Sequence, residues 1–347
     1  MALFSIKNIS FDGLACSIPK NKEYNKDYPY HTDLENKQFI QTTGIEERRV
    51  VNDNTTSSDL CLIAAEKLLK KLCWKKSEVT ILIFITQTPD YKIPSTAPIL
   101  QDKLGLSTHC IAFDINLGCS GYVYGLSIVS SLLEKTKGKA LLLVGDVSSS
   151  VINRKDKTVA PLFSDAGSCT ALSYNVAAKK MYFNLQTDGK DFKAINIKDG
   201  GMKSPTTIQS FVFNEKTSRT GLDMELKGIK VFNFSRKEVF PNIENLLEKN
   251  QLAKNQIDYF VLHQANLFMN EHIRKKLMLE KEKMPYSLKT LGNTSSASIP
   301  ITLINNLRDK LEEKPLKMVF SGFGVGLSWG SIYIQTKKVI TLPLIEV

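Results

Sequence analysis

The sequence is short of the residues that build metal centres and disulfide frameworks. Only four histidines (His31, His109, His263, His272) occur in 347 residues. The six cysteines (Cys16, Cys61, Cys73, Cys110, Cys119, Cys169) are scattered, with no C-x-x-C pair and no metal-ligand spacing. That pattern argues against a disulfide framework, suits a reducing compartment and gives no metal site. Long apolar runs are also missing: "KALLLVGDV" (Lys139 to Val147) stops at a glycine and an aspartate, far short of a membrane span. The first residues, "MALFSIKNISFDG", lack a basic segment followed by an apolar core of signal length. A soluble, cytoplasmic protein is therefore expected. No block of like charge stands out. The densest basic runs, "KKLCWKK" (Lys70 to Lys76) and "RKK" (Arg274 to Lys276), read as solvated helix ends, so nucleic acid is not an expected partner.

What is present is an ordinary globular composition: 42% hydrophobic, 23% charged and 9% aromatic. The length suits two domains of about 150–200 residues. A formal charge of +11 favours an acidic partner. Short apolar runs at Thr80–Thr88, Ile111–Ile115 and Lys139–Val147 read as buried strands. Ahead of the first of them lie residues at helical spacing, Ser57 to Leu72, behind a serine cap. Tyr122, Leu126, Val129 and Leu133 mark one helix face after Cys119. The more polar stretch from Ala177 to Leu222 reads as a surface excursion or domain connection. The second half repeats the style of the first: a strand in "IDYFVLHQA", a helix over Leu267–Leu277, and a terminal strand pair in "LKMVFSGFG" and "SIYIQT". The fold class is α/β, layered, with halves at 1–176 and 177–347.

Four short stretches carry the chemistry. In "DINLGCSGYVYGL" Cys119 stands at the start of a helix, where unpaired N–H groups and the helix dipole favour a thiolate; a lowered thiol pKa is expected. His263 ends an apolar strand in "LHQAN", a place where sites gather in layered α/β folds. Asn293, in "LGNTSSASIP", sits in a turn before a helix starting near Ser296, a position equally suited to a capping residue. "SGFGVGLSWG" fails as a dinucleotide fingerprint, since Trp329 takes the last glycine position. Its glycines better free backbone N–H groups to face an oxyanion.

Together with "TTGIEERR", "TSSDL" and "TQTPDY", these motifs resemble, in order and over roughly residues 40 to 331, the β-ketoacyl-acyl-carrier-protein synthase III family. The resemblance implies a thiolase-like five-layered αβαβα fold of two similar halves, assembled as a homodimer. It implies decarboxylative condensation of an acyl-CoA primer with malonyl-acyl carrier protein, with no cofactor and no metal. Cys119 would be acylated; His263 and Asn293 would bind the malonyl thioester carbonyl and its enolate. Backbone N–H groups of Cys119 and Val325 would form an oxyanion hole, and Phe323 would pack beside the thiol. Lys275 and Lys276 would meet the acidic carrier protein.

Departures from the family pattern fall on donor recognition. The tryptophan expected to stack on coenzyme A is missing, and Phe39 is the candidate substitute, one residue out of place. Phe268 stands where many relatives carry arginine. Arg154 and Lys155 are candidates for the pantetheine phosphates. Ile93 aligns near a position that reaches across the dimer and limits the acyl pocket, which would admit a primer larger than acetyl. The alternative within this fold is transfer of the acyl group to an alcohol or amine. A non-catalytic subunit would have lost the nucleophile.

Overall fold

The computed structural model describes residues 2–52 and 54–347. Its strands form two large sheets. One has the order β15 (Ile340–Thr341), β2 (Ile9–Ile18), β8 (Ala166–Tyr174), β7 (Lys139–Asp146), β5 (Val79–Ile85), β6 (Ile111–Ile115), with β16 (Ile345–Glu346) also on β2. The other has the order β1 (Ala2–Ile6), β9 (Met181–Thr187), β14 (Ser328–Gln335), β13 (Lys317–Gly324), β12 (Tyr259–Leu262). Small two-stranded ribbons pair β3 (Lys22–Tyr24) with β4 (Glu47–Arg49), and β10 (Ile195–Ile197) with β11 (Met224–Leu226). The helices are α1 (Asp33–Thr43), α2 (Ser57–Leu72), α3 (Thr96–Lys103), α4 (Gly121–Thr136), α5 (Gly228–Lys249), α6 (Leu267–Lys276), α7 (Leu288–Leu291) and α8 (Ser298–Glu313).

Side-chain alternation builds the layers. Along β7, Ala140, Leu142 and Val144 face a core shared with α4 and α8, while Leu141 and Leu143 face α2 and α3. Along β13, Met318 and Phe320 face that same central core, and Val319 points to α5 and α6. Helices, sheet, helices, sheet, helices: this is the five-layered αβαβα arrangement. Each Leu or Phe fully buried in it contributes about 1.5–3 kcal/mol. Both large sheets are mixed, with parallel pairs β5–β6, β5–β7 and β12–β13. The termini cross over, because β1 joins the second sheet and β15 and β16 join the first. The strands from the two ends of the chain thus tie the two sheets together.

Several local expectations need correction. The cap of α2 is Thr56, whose hydroxyl accepts from Asp59 N–H while the Asp59 carboxylate accepts from Thr56 N–H. The strand Ile111–Ile115 is a half-covered sheet edge, with Ile111 41% exposed. Within the presumed surface excursion, Met181–Thr187 is a central strand carrying the fully buried Phe183. The helix after Asn293 starts at Ser298, behind a single tight turn over Ser295–Ala297.

Candidate active site

Three strand ends and one helix start converge between the sheets. Cys119 follows β6 across the short Asn116–Gly118 turn, and Ser120 is the residue before α4. The Ser120 and Ser328 hydroxyls lie 2.6 Å apart, tying this helix start to β14. His263 is the first residue beyond β12, and its N–H donates to Ser321 O of the adjacent β13 at 2.8 Å. That register brings Phe323 edge-on to the imidazole, with ring centroids 5.4 Å apart. Asn293 follows α7 and is held by backbone bonds to the segment after the Pro161 turn: its N–H donates to Leu162 O (3.0 Å) and its carbonyl accepts from Ser164 N–H (2.9 Å). The Asn293 amide oxygen accepts from Ser295 N–H at 2.9 Å. Cys119, His263 and Asn293 are all buried and line one cavity.

The glycines of the β13 end act through close approach. A Cβ on Gly324 would lie 2.6 Å from Cys119 Cβ and 2.9 Å from its Sγ; one on Gly322 would lie 3.0 Å from the Cys119 carbonyl oxygen. Only glycine lets this strand pass so close to the cysteine.

Electrostatics differ from the sequence expectation at Cys119. Burial pushes its thiol up to about 11, and the Asp146 carboxylate adds to that shift. Hydrogen bonds from the Ser295 side chain and from the backbone N–H groups of Val325 and Cys119 oppose it without reversing it. Desolvation outweighs the helix start, so the expected lowering does not occur. His263 moves in the neutral direction, burial holding it at about 3. Ser298 Oγ lies 2.7 Å from its Nδ1.

Cys119 separates two cavities. The outer one, about 870 Å³, opens past Phe39, Lys157, Phe232 and Phe268. The inner one, about 230 Å³, includes Val325, Asp146 and Ser148. Phe163 lines both, and its backbone is in register with Asn293. Phe39 is at the outer mouth, its ring 5.6 Å from His31. Arg154 is not at that mouth: it lines a separate hollow and pairs with Glu23 at 3.2 Å. Lys157 holds the mouth instead, 3.5 Å from Glu35. Ile93 is 89% exposed and lines neither cavity. Lys275 and Lys276 are exposed in the last turn of α6, roughly 10 Å along the helix from Phe268. Arg274 beside them is held by Glu271 and by the Leu279 carbonyl.

Sequence reasoning missed Asp146, which reads as a mere strand terminator. It is 1% exposed and its carboxylate accepts from Gln87 N–H (2.7 Å) and from the Ser296 hydroxyl (2.5 Å), linking the two halves beside the thiol. Ser298 and Lys157 were missed too. Nothing in their local sequence marks them; only the fold brings them to the site.

Among known proteins, the family described as 3-Oxoacyl-[acyl-carrier-protein (ACP)] synthase III matches residues 113–189, and its C-terminal counterpart matches residues 247–336. The chain is 31% identical over 321 residues to a beta-ketoacyl-[acyl-carrier-protein] synthase III of Streptococcus mutans, covering 92% of this chain and 96% of that one. It is 32% identical over 336 residues to the protein of the same name from Clostridium perfringens, covering 95% and 100%. The crystal structure of a 3-oxoacyl-(acyl-carrier protein) synthase from Burkholderia xenovorans superposes with a TM-score of 0.94 at 32% identity, over 99% of each chain.

Proposed function

The chain belongs to the 3-oxoacyl-[acyl-carrier-protein] synthase III family, and from that premise we propose that it condenses an acyl-CoA primer with malonyl-acyl carrier protein through an acyl-Cys119 intermediate. The observation that carries the reading is the convergence of a buried thiol, a neutral imidazole and a primary amide on one cavity that opens to solvent.

The chemistry proceeds in two steps. The Cys119 sulfur attacks the thioester carbonyl of the primer; a new C–S bond forms, the bond to the coenzyme A sulfur breaks, and coenzyme A leaves as its thiol with the proton lost by Cys119. The developing oxyanion meets the N–H groups of Cys119 and Val325, whose donation toward the sulfur atom supports this role. In the second step the malonyl carboxylate leaves as carbon dioxide, and its bonding electrons pass into an enolate. Neutral His263 and Asn293 donate hydrogen bonds to that enolate oxygen. Ser298 Oγ lies 2.7 Å from Nδ1, and a hydroxyl donating there would keep the imidazole proton on Nε2 for the enolate. The enolate carbon attacks the acyl-Cys119 carbonyl, a carbon–carbon bond forms, and the thiolate departs and recovers a proton. No base has to take a proton from carbon, which is why an amide serves where a carboxylate is otherwise needed.

The reading extends to partners. Both substrates are thioesters, and the chemistry calls for no metal or cofactor. Phe39 and Lys157 offer an aromatic face and a cation to coenzyme A at the outer mouth, and Phe323 fixes the imidazole plane. Lys275 and Lys276 offer exposed positive charge to an acidic carrier protein. The unpaired edge of β6, with Ile111 exposed, supports assembly as a homodimer, in which Ile93 of one copy would approach the other. The halves 1–176 and 177–347 are read as two related units of one layered body. No helix among the described residues is long and apolar enough to cross a membrane; we place the enzyme in the cytoplasm.

Incubation with a panel of acyl-CoA donors, read by intact mass, tests the reading. An adduct present in the wild type and missing in Cys119→Ala is expected. An adduct that persists in Cys119→Ala would overturn it.

A further inference from the structure

Three spaces meet at one side chain. Phe163 lines the outer cavity, the inner cavity and the separate hollow that holds Arg154, which measures about 450 Å³. Its ring belongs to a small apolar cluster with Tyr28, Ile152 and Ala160, and Leu162, Met224 and Leu226 pack against that cluster. These neighbours are shared out among the three spaces. Tyr28, Ile152 and Ala160 face the hollow, Met224 faces the inner cavity, and Leu162 and Leu226 face the outer one. The short turn Ser148–Val151 divides in the same way. Ser148 and Val151 line the inner cavity, whereas Ser149 and the following Ile152 line the hollow. The inner cavity and the hollow therefore lie back to back, and Phe163 is part of the wall between them.

That wall is fixed in place. Phe163 is 5% exposed, and the residues on either side of it are bonded to Asn293: Leu162 O accepts from Asn293 N–H at 3.0 Å, and Ser164 N–H donates to Asn293 O at 2.9 Å. A ring packed on several sides and anchored at its backbone acts as a stop, since closely packed interiors yield little. The space in front of it is small. A cavity of about 150 Å³ takes up benzene, so by proportion the inner cavity's 230 Å³ holds roughly nine carbon-sized atoms. The hollow behind the ring offers about twice that volume, and its near side is aromatic and aliphatic. From this we infer that Phe163 sets the length of the primer. An acyl chain on Cys119 runs into the inner cavity and stops against this ring, and removing the ring joins the cavity to the hollow. The inference rests on the acyl-Cys119 reading.

The test measures acylation rates by intact mass for straight-chain donors from acetyl-CoA to dodecanoyl-CoA. Wild type, Phe163→Leu, Phe163→Ala and Tyr24→Ala are compared. In the wild type the rate should fall by about 10-fold or more between octanoyl-CoA and dodecanoyl-CoA, because even one methylene too many in a closed apolar pocket costs about 10-fold. Phe163→Ala should raise the dodecanoyl-to-octanoyl ratio by about 10-fold, and Phe163→Leu should raise it less. The ratio is taken within one variant, so a partly folded preparation leaves it unchanged, and Phe163→Leu serves if Phe163→Ala fails to fold. Tyr24 lines the hollow and is 42% exposed; Tyr24→Ala widens that space without opening the wall and should leave the ratio as in wild type. Dodecanoyl-CoA reacting as fast as octanoyl-CoA in the wild type would overturn the inference. So would an unchanged ratio in the Phe163 variants, or an equal rise in Tyr24→Ala. Each of these leaves the acyl-cysteine reading standing. No adduct from any donor in the wild type would overturn both.

Discussion

Replacing Gly324 with alanine perturbs the site at the point of tightest contact. The added methyl would fall short of ordinary contact with Cys119 by about 0.8 Å at Cβ and about 0.5 Å at Sγ. The neighbour is a short side chain on a helix start packed between two sheets, so the strain divides between a bent β13 end and a displaced sulfur. Overpacking of this kind costs about 1–3 kcal/mol of stability. A displacement of about 1 Å at a reacting atom costs about 100-fold in rate, so a shift of half that or more should slow acylation by about 10- to 100-fold. Gly330→Ala is the control: its Cβ would meet the flexible end of Leu185 at 2.5 Å, on the strand next to β13 and pointing at no catalytic group. Stopped-time intact-mass measurement of acylation, beside thermal unfolding of each variant, separates the two effects. Gly324→Ala acylating at the wild-type rate, or Gly330→Ala slowed as strongly, would refute the reasoning that β13 positions the thiol through this contact.

Further outcomes follow from the same geometry. Because the Cys119 thiol stands at about 11, its thiolate is scarce at neutral pH, and acylation should rise about tenfold per pH unit between pH 7 and 9; a flat profile would contradict this. Removing the Asp146 charge takes away an interaction that raises the thiol pKa, so Asp146→Asn should shift that profile to lower pH, read from its midpoint rather than its height. Ser298→Ala removes the 2.7 Å partner of His263; condensation with malonyl-acyl carrier protein should slow by up to about 10-fold, the worth of one hydrogen bond, with acylation unchanged. Lys275→Glu with Lys276→Glu should raise KM for malonyl-acyl carrier protein and spare acylation, and raising ionic strength should mimic the change in the wild type.

Much of this was legible in the chain because hydrophobic periodicity survives in its elements. Ile111–Ile115 and Ser57–Leu72 have the bounds that their patterns predict, and Tyr122, Leu126, Val129 and Leu133 are all fully buried on one face of α4. The strand Met181–Thr187 was hidden because Asn184 interrupts its apolar pattern. That asparagine is buried, its Nδ2 donating to the Asn242 carbonyl on α5 and its own backbone carbonyl accepting from Asn242 Nδ2, a partner 58 residues away that no local window reveals. The candidate site was partly readable for the same reason. Cys119, His263 and Asn293 each sit in a distinctive short stretch, whereas Asp146, Lys157 and Ser298 matter only through contacts made across the fold. Arg154 and Lys157 lie three residues apart in one basic segment, and only the course of the backbone decides which faces the cavity. The thiol shift was misjudged because a helix start is visible in sequence, while the depth of burial that opposes it is not.

The most direct measurement starts from isolated acyl-Cys119 enzyme, adds malonyl-acyl carrier protein, and follows carbon dioxide release together with loss of the adduct by intact mass. One carbon dioxide released per acyl group lost, with a 3-oxoacyl chain on the carrier protein, is the predicted result. An adduct that leaves without carbon dioxide, or that stays in place while the carrier protein remains malonylated, would contradict the account.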